Sequence, residues 1–148
     1  MNAATAEILL VEDNPIDAEL MLRAFRASGL ADRVFLVQGG EEAVEFVLGT
    51  GRHSGRSGAR APKVVVLDLK LPKMDGLAVL FKLKGDERTR AIPVVVLTAS
   101  TAEEDVLRSY RLGVNSYVVK PSDYGQYVKV VSRLGEYWIS MNRPPERC

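Results

Sequence analysis

The stretch of sequence that decides the fold is KVVVLDLKLPKMDG, residues 63–76. Its first half is a run of aliphatic and β-branched residues without polar alternation, which is typical of a strand buried on both faces of a parallel sheet. The run ends on one acidic residue, Asp68. Open parallel sheets bind their ligands at the carboxyl ends of the strands. The polar residues at the ends of the other strands therefore become candidates for a site.

Similar apolar runs alternate along the chain with segments of helical period, which predicts alternating strands and helices. The predicted strands are residues 7–11, 33–37, 63–69, 92–98 and 116–120. The first predicted helix has Asn14 as its N-cap and Pro15 as its first residue, and Gly29 ends it. The other predicted helices are about 40–48, 75–84, 101–112 and 122–140. Five β/α units with right-handed crossovers predict an α/β fold with a doubly wound parallel sheet.

Length and composition indicate a globular protein with one core. The chain has 148 residues, 47% hydrophobic and 26% charged, with a formal net charge of +1. This length predicts one domain over 1–148. The near-zero charge gives no bias towards nucleic acid or anionic lipid. No apolar run approaches the roughly 20 residues that a membrane helix needs.

Cysteine content and the N-terminal sequence predict a cytoplasmic protein. The only cysteine is Cys148, so neither a disulfide nor a cysteine metal cluster can form within the chain. The N-terminal MNAATAEILLVED has no basic segment before its apolar run, which argues against a signal peptide.

One connection, GTGRHSGRSGARAP at residues 49–62, is long and rich in Gly, Ser and Arg. It has no apolar period, which predicts a flexible loop. The arginines in it are expected to be solvated, although they could contact an acidic partner. His53, the only histidine, has no second metal ligand nearby and is expected at the surface.

Several polar residues follow the predicted strands and should meet at one edge of the sheet. They are Glu12, Asp13, Asp68, Thr98 and Lys120. Three close carboxylates raise one another's pKa values and need a cation to stay ionised. Mg²⁺ takes one or two carboxylates together with water and phosphoryl oxygens. Each residue alone is more often a turn former or a solvated strand end, but the combination predicts a site for Mg²⁺ and a phosphoryl group.

These residues lie in motifs that resemble the receiver domain of two-component response regulators. The motifs are VEDNP (11–15), DLKLPKMDG (68–76), VLTAS (96–100) and YVVKP (117–121). Thr98 lies 30 positions after Asp68, and Lys120 lies 22 positions after Thr98, as in that family. The resemblance is greatest to single-domain regulators paired with bacterial phytochromes, through EDNPIDAELMLRAF, LRSYRLGVNSYVVKP and EYW. It implies a flavodoxin-like sheet with strand order 2-1-3-4-5 and five helices. It covers about 6–140, which implies a receiver core over those residues and a short C-terminal extension at 141–148.

The resemblance also implies a role for each site residue. Asp68 would be the phosphoacceptor, and the Mg²⁺ ligands would be Asp13, Asp68, the Lys70 carbonyl and, through water, Glu12. Lys120 and Thr98 would stabilise the phosphoryl group, and Thr98 would signal its arrival to the aromatic switch residue Tyr117. Pro121 is a candidate for a cis peptide bond, because Lys120 must point back into the cleft. Lys70 places a cation over the cleft mouth, where it could pair with an acidic residue in the unphosphorylated state or contact the phosphoryl group. We expect it to tune the lifetime of the phosphoryl group.

Two other functions fit parts of the pattern. A phosphatase of the haloacid dehalogenase type also uses an aspartate nucleophile, Mg²⁺, a Thr and a Lys. Such enzymes need a second Asp two positions after the nucleophile, where this chain has Lys70. A flavodoxin-like cofactor binder would need a phosphate-binding loop after the first strand, where Glu12 and Asp13 would instead repel phosphate.

The last helix carries two apolar stripes, which suggests a partner. Tyr124, Val128, Val131, Leu134 and Trp138 are expected to face the core. The second stripe, Tyr127, Val130, Tyr137 and Met141, could be covered by the tail ISMNRPPERC or by the 49–62 segment, but we favour a homodimer surface.

The chain is expected to be a stand-alone stoichiometric phosphoacceptor with slow dephosphorylation, not an enzyme. Its predicted partners are a sensor histidine kinase, such as a phytochrome, and an unidentified downstream protein, without direct contact to nucleic acid or membrane.

Overall fold

The structure is a computed structural model that describes residue 3, residues 5–70 and residues 75–145. Its strands are β1 (Ile8–Val11), β2 (Val34–Val37), β3 (Val64–Leu67), β4 (Val94–Thr98) and β5 (Ser116–Val119). Its α-helices are α1 (Pro15–Ala27), α2 (Gly40–Leu48), α3 (Gly76–Gly85), α4 (Glu103–Arg111) and α5 (Tyr124–Gly135). All strands are parallel, in the order β2-β1-β3-β4-β5. The predicted flavodoxin-like fold, with its strand order and five helices, is confirmed.

The central strands are buried on both faces, as their unbroken apolar sequences predict. Every residue of β1, β3 and β4 is buried, whereas the two edge strands β2 and β5 are only partly so. Successive side chains of each strand point to opposite faces of the sheet and pack in two separate cores. One core lies beneath α2 and α3, and the other lies beneath α1 and α5. No helix in the described ranges has the length and apolar character needed to cross a membrane.

The first helix begins and ends where the sequence predicts. The Asn14 side chain accepts hydrogen bonds from the backbone N–H groups of Ile16 and Asp17, at 2.9 and 3.2 Å. These bonds satisfy two of the N–H groups that a helix start leaves unpaired. Gly29 has a φ of 76°, a left-handed conformation that only glycine adopts without strain.

The buried face of α5 agrees with the predicted one at Val131 and Trp138 but differs at its first turn. Tyr127 is 3% exposed and packs in the core with Val131, whereas Tyr124 is 40% exposed. Tyr127 was expected on the outer stripe, and its assignment to a dimer surface is therefore wrong. Both positions hold tyrosine, so the sequence period could not decide which of the two is buried. After α5 the chain continues in a wider π-helical turn, Glu136–Met141, which returns Trp138 to the core.

The 49–62 segment is anchored by a buried arginine. A short 3₁₀ turn, Gly51–Arg56, lies against α2, and the Arg56 side chain is buried. Its guanidinium donates hydrogen bonds to the carbonyl oxygens of Phe46 (3.0 Å), Ala3 (2.6 Å) and Arg60 (3.2 Å). The same group lies 3.8 Å from the centroid of the Phe46 ring. The prediction that Arg56 is solvated is wrong, and these contacts argue against the predicted flexibility of the segment.

His53 is also packed and not a surface residue, contrary to prediction. Its Nε2 lies 2.8 Å from a carboxylate oxygen of Glu42, and its ring makes edge contacts with Phe35 and Phe46. Arg52 keeps the predicted exposure, and its guanidinium pairs with Glu45 at 2.8 Å. The aromatic side chains of β2 and α2 decide this packing, and they lie outside the segment itself.

Candidate functional site

The sheet register brings the predicted site residues to one edge. Val11 pairs with Leu67, so the residues that follow them, Glu12 and Asp68, lie side by side. Thr98 is the last residue of β4, and Lys120 directly follows β5. The carboxyl edge of the sheet thus collects acidic, hydroxyl and ammonium groups from four neighbouring chain segments.

A buried ion pair lies at the centre of this edge. Lys120 Nζ donates a hydrogen bond to Asp68 Oδ2 at 2.7 Å, and both side chains are largely buried. The other carboxylate oxygen, Asp68 Oδ1, accepts from the backbone N–H of Lys70 at 3.1 Å. Both Asp68 oxygens therefore have fixed positions. Lys120 reaches Asp68 across a trans peptide bond to Pro121, so the predicted cis bond is wrong.

Glu12 is a buried carboxylate that needs a counter-charge. It is 1% exposed, and neither of its oxygens has a hydrogen-bond partner among the described residues. Burial, together with the negative charge of Asp68, raises the pKa of Glu12 from 4.5 to about 7, although Lys120 opposes the rise. A cation at the site would remove this penalty, because an opposite charge favours the ionised carboxylate.

The donor set suits a hydrated magnesium ion. No group of three His, Cys, Asp or Glu side chains closes around one point within residues 5–70 and 75–145. Mg²⁺ does not need such a cage, because it keeps several water ligands and takes only one or two carboxylates. Asp68 and the half-buried Asp13 lie at the same edge as Glu12, beside the backbone of Lys70. These oxygens suit an open site for a divalent cation, which would take its other ligands from water.

A chain of contacts links the mouth of the site to Tyr117. Lys70 Nζ lies 3.6 Å from Asp105 Oδ2 on α4, and the same Asp105 oxygen accepts a hydrogen bond from the Ser100 hydroxyl at 2.5 Å. The Tyr117 hydroxyl donates to the Ser100 carbonyl at 3.0 Å, and the Ser100 N–H donates to the Thr98 hydroxyl at 3.4 Å. The bond from Ser100 and then the charge of Lys70 lower the pKa of Asp105. Ser100 is therefore the residue through which Thr98, Tyr117 and Lys70 are connected.

The backbone of Gly76 lies in tight contact with that of Asp68 and Leu69. The N–H of Gly76 donates to the carbonyl of Leu69 at 3.0 Å. A Cβ atom on Gly76 would overlap the carbonyl oxygen of Asp68, well inside contact distance. Only glycine fits at this position without moving the backbone of Asp68.

Sequence reasoning did not assign a role to Asp105 or Ser100, and it placed Tyr127 on the wrong face. Ser100 lies in the VLTAS motif, and Asp105 lies in the acidic first turn of α4, which is an ordinary place for a carboxylate. The ion pair of Asp105 with Lys70 joins segments far apart in the chain, so the sequence could indicate that Lys70 would meet an acid but not which one.

Comparison with known proteins identifies the family. The family model described as the response regulator receiver domain matches residues 8–132. The chain belongs to this family. It is 44% identical over 138 residues to the probable methanogenesis regulatory protein FilR2 of Methanothrix harundinacea, covering 93% of this chain and 86% of that protein. It is 35% identical over 132 residues to the response regulator Rcp1 of Synechocystis, covering 89% of this chain and 88% of Rcp1.

Solved structures give the same result. The phosphorylated cyanobacterial phytochrome response regulator RcpA superposes with a TM-score of 0.81 at 38% identity, covering 93% of this chain and 96% of RcpA. The Mn²⁺-bound form of Rcp1 superposes with a TM-score of 0.78 at 34% identity, covering 93% of this chain and 97% of that chain. The receiver is thus related to phytochrome response regulators, and a relative binds a divalent cation. The alternative of a haloacid dehalogenase phosphatase is not supported, and Lys70, where that enzyme needs an acid, pairs with Asp105.

Proposed function

We propose that this receiver accepts a phosphoryl group on Asp68 from the phosphohistidine of a sensor histidine kinase. The observation that carries the proposal is the buried contact between Lys120 Nζ and Asp68 Oδ2, beside Glu12, whose pKa is raised. In the transfer, an Asp68 oxygen forms a bond to phosphorus, the phosphorus–nitrogen bond breaks, and the histidine ring keeps the electron pair and takes up a proton. The receiver is a stoichiometric acceptor that promotes its own phosphorylation and slow dephosphorylation, and we place it in the cytoplasm.

The side chains around Asp68 have separate tasks in this reaction. Lys120 holds the carboxylate in place and balances the charge of an incoming phosphoryl group. Asp13, Asp68 and the Lys70 carbonyl would hold Mg²⁺, with Glu12 acting through a water ligand. When bound, Mg²⁺ would neutralise the charge on the phosphoryl oxygens. The Thr98 hydroxyl, which is fully buried at the end of β4, would donate to one of those oxygens.

Phosphorylation would reach the surface through the contacts of Ser100. If Thr98 turns towards the phosphoryl group, its hydroxyl leaves the Ser100 N–H, and the β4–α4 connection moves with it. The Tyr117 hydroxyl is bonded to the Ser100 carbonyl, so this movement releases the Tyr117 ring to rotate. The surface formed by α4, β5 and α5 would then change, and a downstream protein would bind the changed form.

Exposed apolar residues beside the site suit the docking of a kinase helix. Ile16 is 80% exposed at the start of α1, and Leu20 is exposed one turn later. Tyr124 at the start of α5 is also exposed and lies beneath the guanidinium of Arg23. This patch borders Asp13 in the sequence, so a phosphohistidine carried on a docked helix would face Asp68. Because relatives are phytochrome response regulators, we propose a phytochrome kinase as the donor.

A second copy of the chain is the proposed partner at the other face of α5. Tyr137 and Met141 are exposed, and Val130 lines a groove of about 450 Å³ between α5 and the free edge of β5. With Tyr127 in the core, the surface consists of Val130, Tyr137 and Met141. Sedimentation with and without a phosphodonor tests this homodimer, and a Tyr137→Ser chain should sediment as a monomer if the surface is correct.

Phosphorylation by acetyl phosphate tests the central proposal. With Mg²⁺ present, the native chain should gain one phosphoryl group by intact mass, and Asp68→Asn should gain none. Asp86→Asn, a half-buried aspartate at the end of α3 opposite the site, serves as the matched control and should be phosphorylated normally. Phosphorylation of Asp68→Asn, or of neither protein, would contradict the assignment.

The kinase surface is tested by comparing two phosphodonors. Ile16→Ser should slow transfer from a phosphorylated phytochrome kinase but leave phosphorylation by acetyl phosphate unchanged. Phe81→Ser, which alters an equally apolar exposed residue on α3, should leave both rates unchanged. Equal slowing by the two variants would exclude the proposed docking surface.

A further inference from the structure

A buried tyrosine hydroxyl on α5 lies on the same face of the sheet as two carboxylates of the acidic site. Tyr127 is 3% exposed, and its phenolic oxygen is buried without a hydrogen-bond partner among the described residues. Buried hydroxyl groups in folded proteins nearly always have a partner. The hydroxyl of Tyr127 is therefore a donor that the packing of α5 does not itself satisfy.

Strand alternation shows which side chains this hydroxyl can meet. Ile8 and Leu10 of β1 pack in the same core as Tyr127. Glu12 lies two residues beyond Leu10, so its side chain projects towards the same side of the sheet. By the same rule Asp68 follows Val66, which also belongs to that core. The two carboxylates and the phenol therefore lie on one side, between the sheet and α5.

Glu12 is the carboxylate that lacks a donor. Both of its oxygens are buried and unpartnered within the described ranges, whereas Asp68 already receives Lys120 and the Lys70 N–H. Burial and the charges of Asp68 and Glu12 raise the pKa of Tyr127, so the phenol keeps its proton and can only donate to a carboxylate. The Tyr127 hydroxyl can supply the donor that Glu12 lacks, and Glu12 can supply the acceptor that Tyr127 lacks.

We propose that Tyr127 is a positioning residue of the metal site, whose hydroxyl donates to the Glu12 carboxylate, directly or through one water molecule. The bond fixes the orientation in which Glu12 accepts a hydrogen bond from a metal-bound water. This inference rests on the proposed function, because it gives Glu12 a task only when a hydrated Mg²⁺ is bound. Hydrogen bonds that orient the groups around a metal ion contribute strongly to its affinity.

Calorimetric titration with Mg²⁺, without any phosphodonor, tests the proposal. Tyr127→Phe removes only the hydroxyl and should weaken Mg²⁺ binding by roughly 10-fold. Tyr110→Phe removes the same group from an exposed position on α4, and it should bind Mg²⁺ like the native chain. Thermal unfolding without Mg²⁺ verifies that each variant is folded. If Tyr127→Phe lowers the unfolding midpoint but keeps native Mg²⁺ affinity, the hydroxyl only supports packing and the proposal is overturned.

A second background isolates the contact with Glu12. In a Glu12→Ala chain the acceptor is gone, so adding Tyr127→Phe should cause no further loss of Mg²⁺ affinity. The same loss in both backgrounds would show that Tyr127 acts on another group, which overturns the proposal. If the native protein is phosphorylated on Asp68 but Tyr127→Phe binds Mg²⁺ with native affinity, the role of Tyr127 is overturned and the proposed function is not. Native protein that binds no Mg²⁺ would overturn the proposed metal site as well.

Discussion

Replacing Glu12 with glutamine should stabilise the metal-free receiver at alkaline pH. The Glu12 side chain is 1% exposed, and burial beside Asp68 raises its pKa from 4.5 to about 7. A carboxyl group whose pKa is higher in the folded state binds its proton more tightly there than in the unfolded chain. Its contribution to stability is therefore complete below about pH 4.5 and is lost as the pH rises through 7.

The size of the effect follows from the two pKa values. One pKa unit corresponds to about 1.4 kcal/mol, so an ionised Glu12 costs the folded state roughly 3 kcal/mol at pH 8. At pH 5 the folded protein keeps the proton, and the cost falls below roughly 1 kcal/mol. A glutamine side chain has nearly the same shape as that of Glu12 but no charge, so the difference between variant and native protein isolates this one group.

Urea unfolding in EDTA, at pH 5 and pH 8, measures the effect. Glu12→Gln should be more stable than the native protein at pH 8 by roughly 3 kcal/mol, and most of this difference should vanish at pH 5. Glu104→Gln, an exposed position on α4, is the control and should show little change at either pH. If Glu12→Gln brings no gain at pH 8, or an equal gain at both pH values, the ionised Glu12 is not the source of the penalty.

Three further substitutions test other parts of the structure. Gly76→Ala should destabilise the fold by about 2 kcal/mol and slow phosphorylation, because the added Cβ would displace the Asp68 carbonyl. In the control Gly85→Ala, on the same helix, the added Cβ meets no atom, so stability and phosphorylation should stay native. Arg56→Ala removes three hydrogen bonds to carbonyls and should lower the free energy of unfolding by about 3 kcal/mol, which corresponds to roughly 10 °C in the thermal midpoint. The control Arg52→Ala breaks only an exposed ion pair and should unfold near the native temperature. Lys70→Ala should shorten the lifetime of the phosphoryl group several-fold, since it opens the mouth of the site, and unchanged dephosphorylation kinetics would refute this role.

The helix ends and the buried strands could be predicted, because each depends on residues close together in the chain. Asn14 caps α1 because its side chain reaches N–H groups two and three residues away, and Gly29 ends it because only glycine adopts that turn easily. The apolar runs predicted buried strands, because a strand covered on both faces has no position for a polar side chain. The placement of Asp68 and Lys120 at strand ends followed from the same pattern.

Contacts between distant segments could not be predicted in this way. Arg56 lies in a sequence that looks like a solvated loop, yet the Phe46 ring and three carbonyl groups hold it inside the fold. Lys70 and Asp105 are paired only because the sheet brings the ends of β3 and β4 together.

The sequence by itself determined the order of elements, the parallel sheet and the edge at which the polar residues meet, because these depend on periodicity and on residues close in the chain. The tertiary structure decided which tyrosine of α5 is buried. Tyr124 and Tyr127 lie one turn apart and have the same side chain, so the choice depends on how α5 packs against α1 and the sheet. That packing buries Tyr127 on the side of Glu12, and it turns a residue expected on the surface into a candidate part of the site.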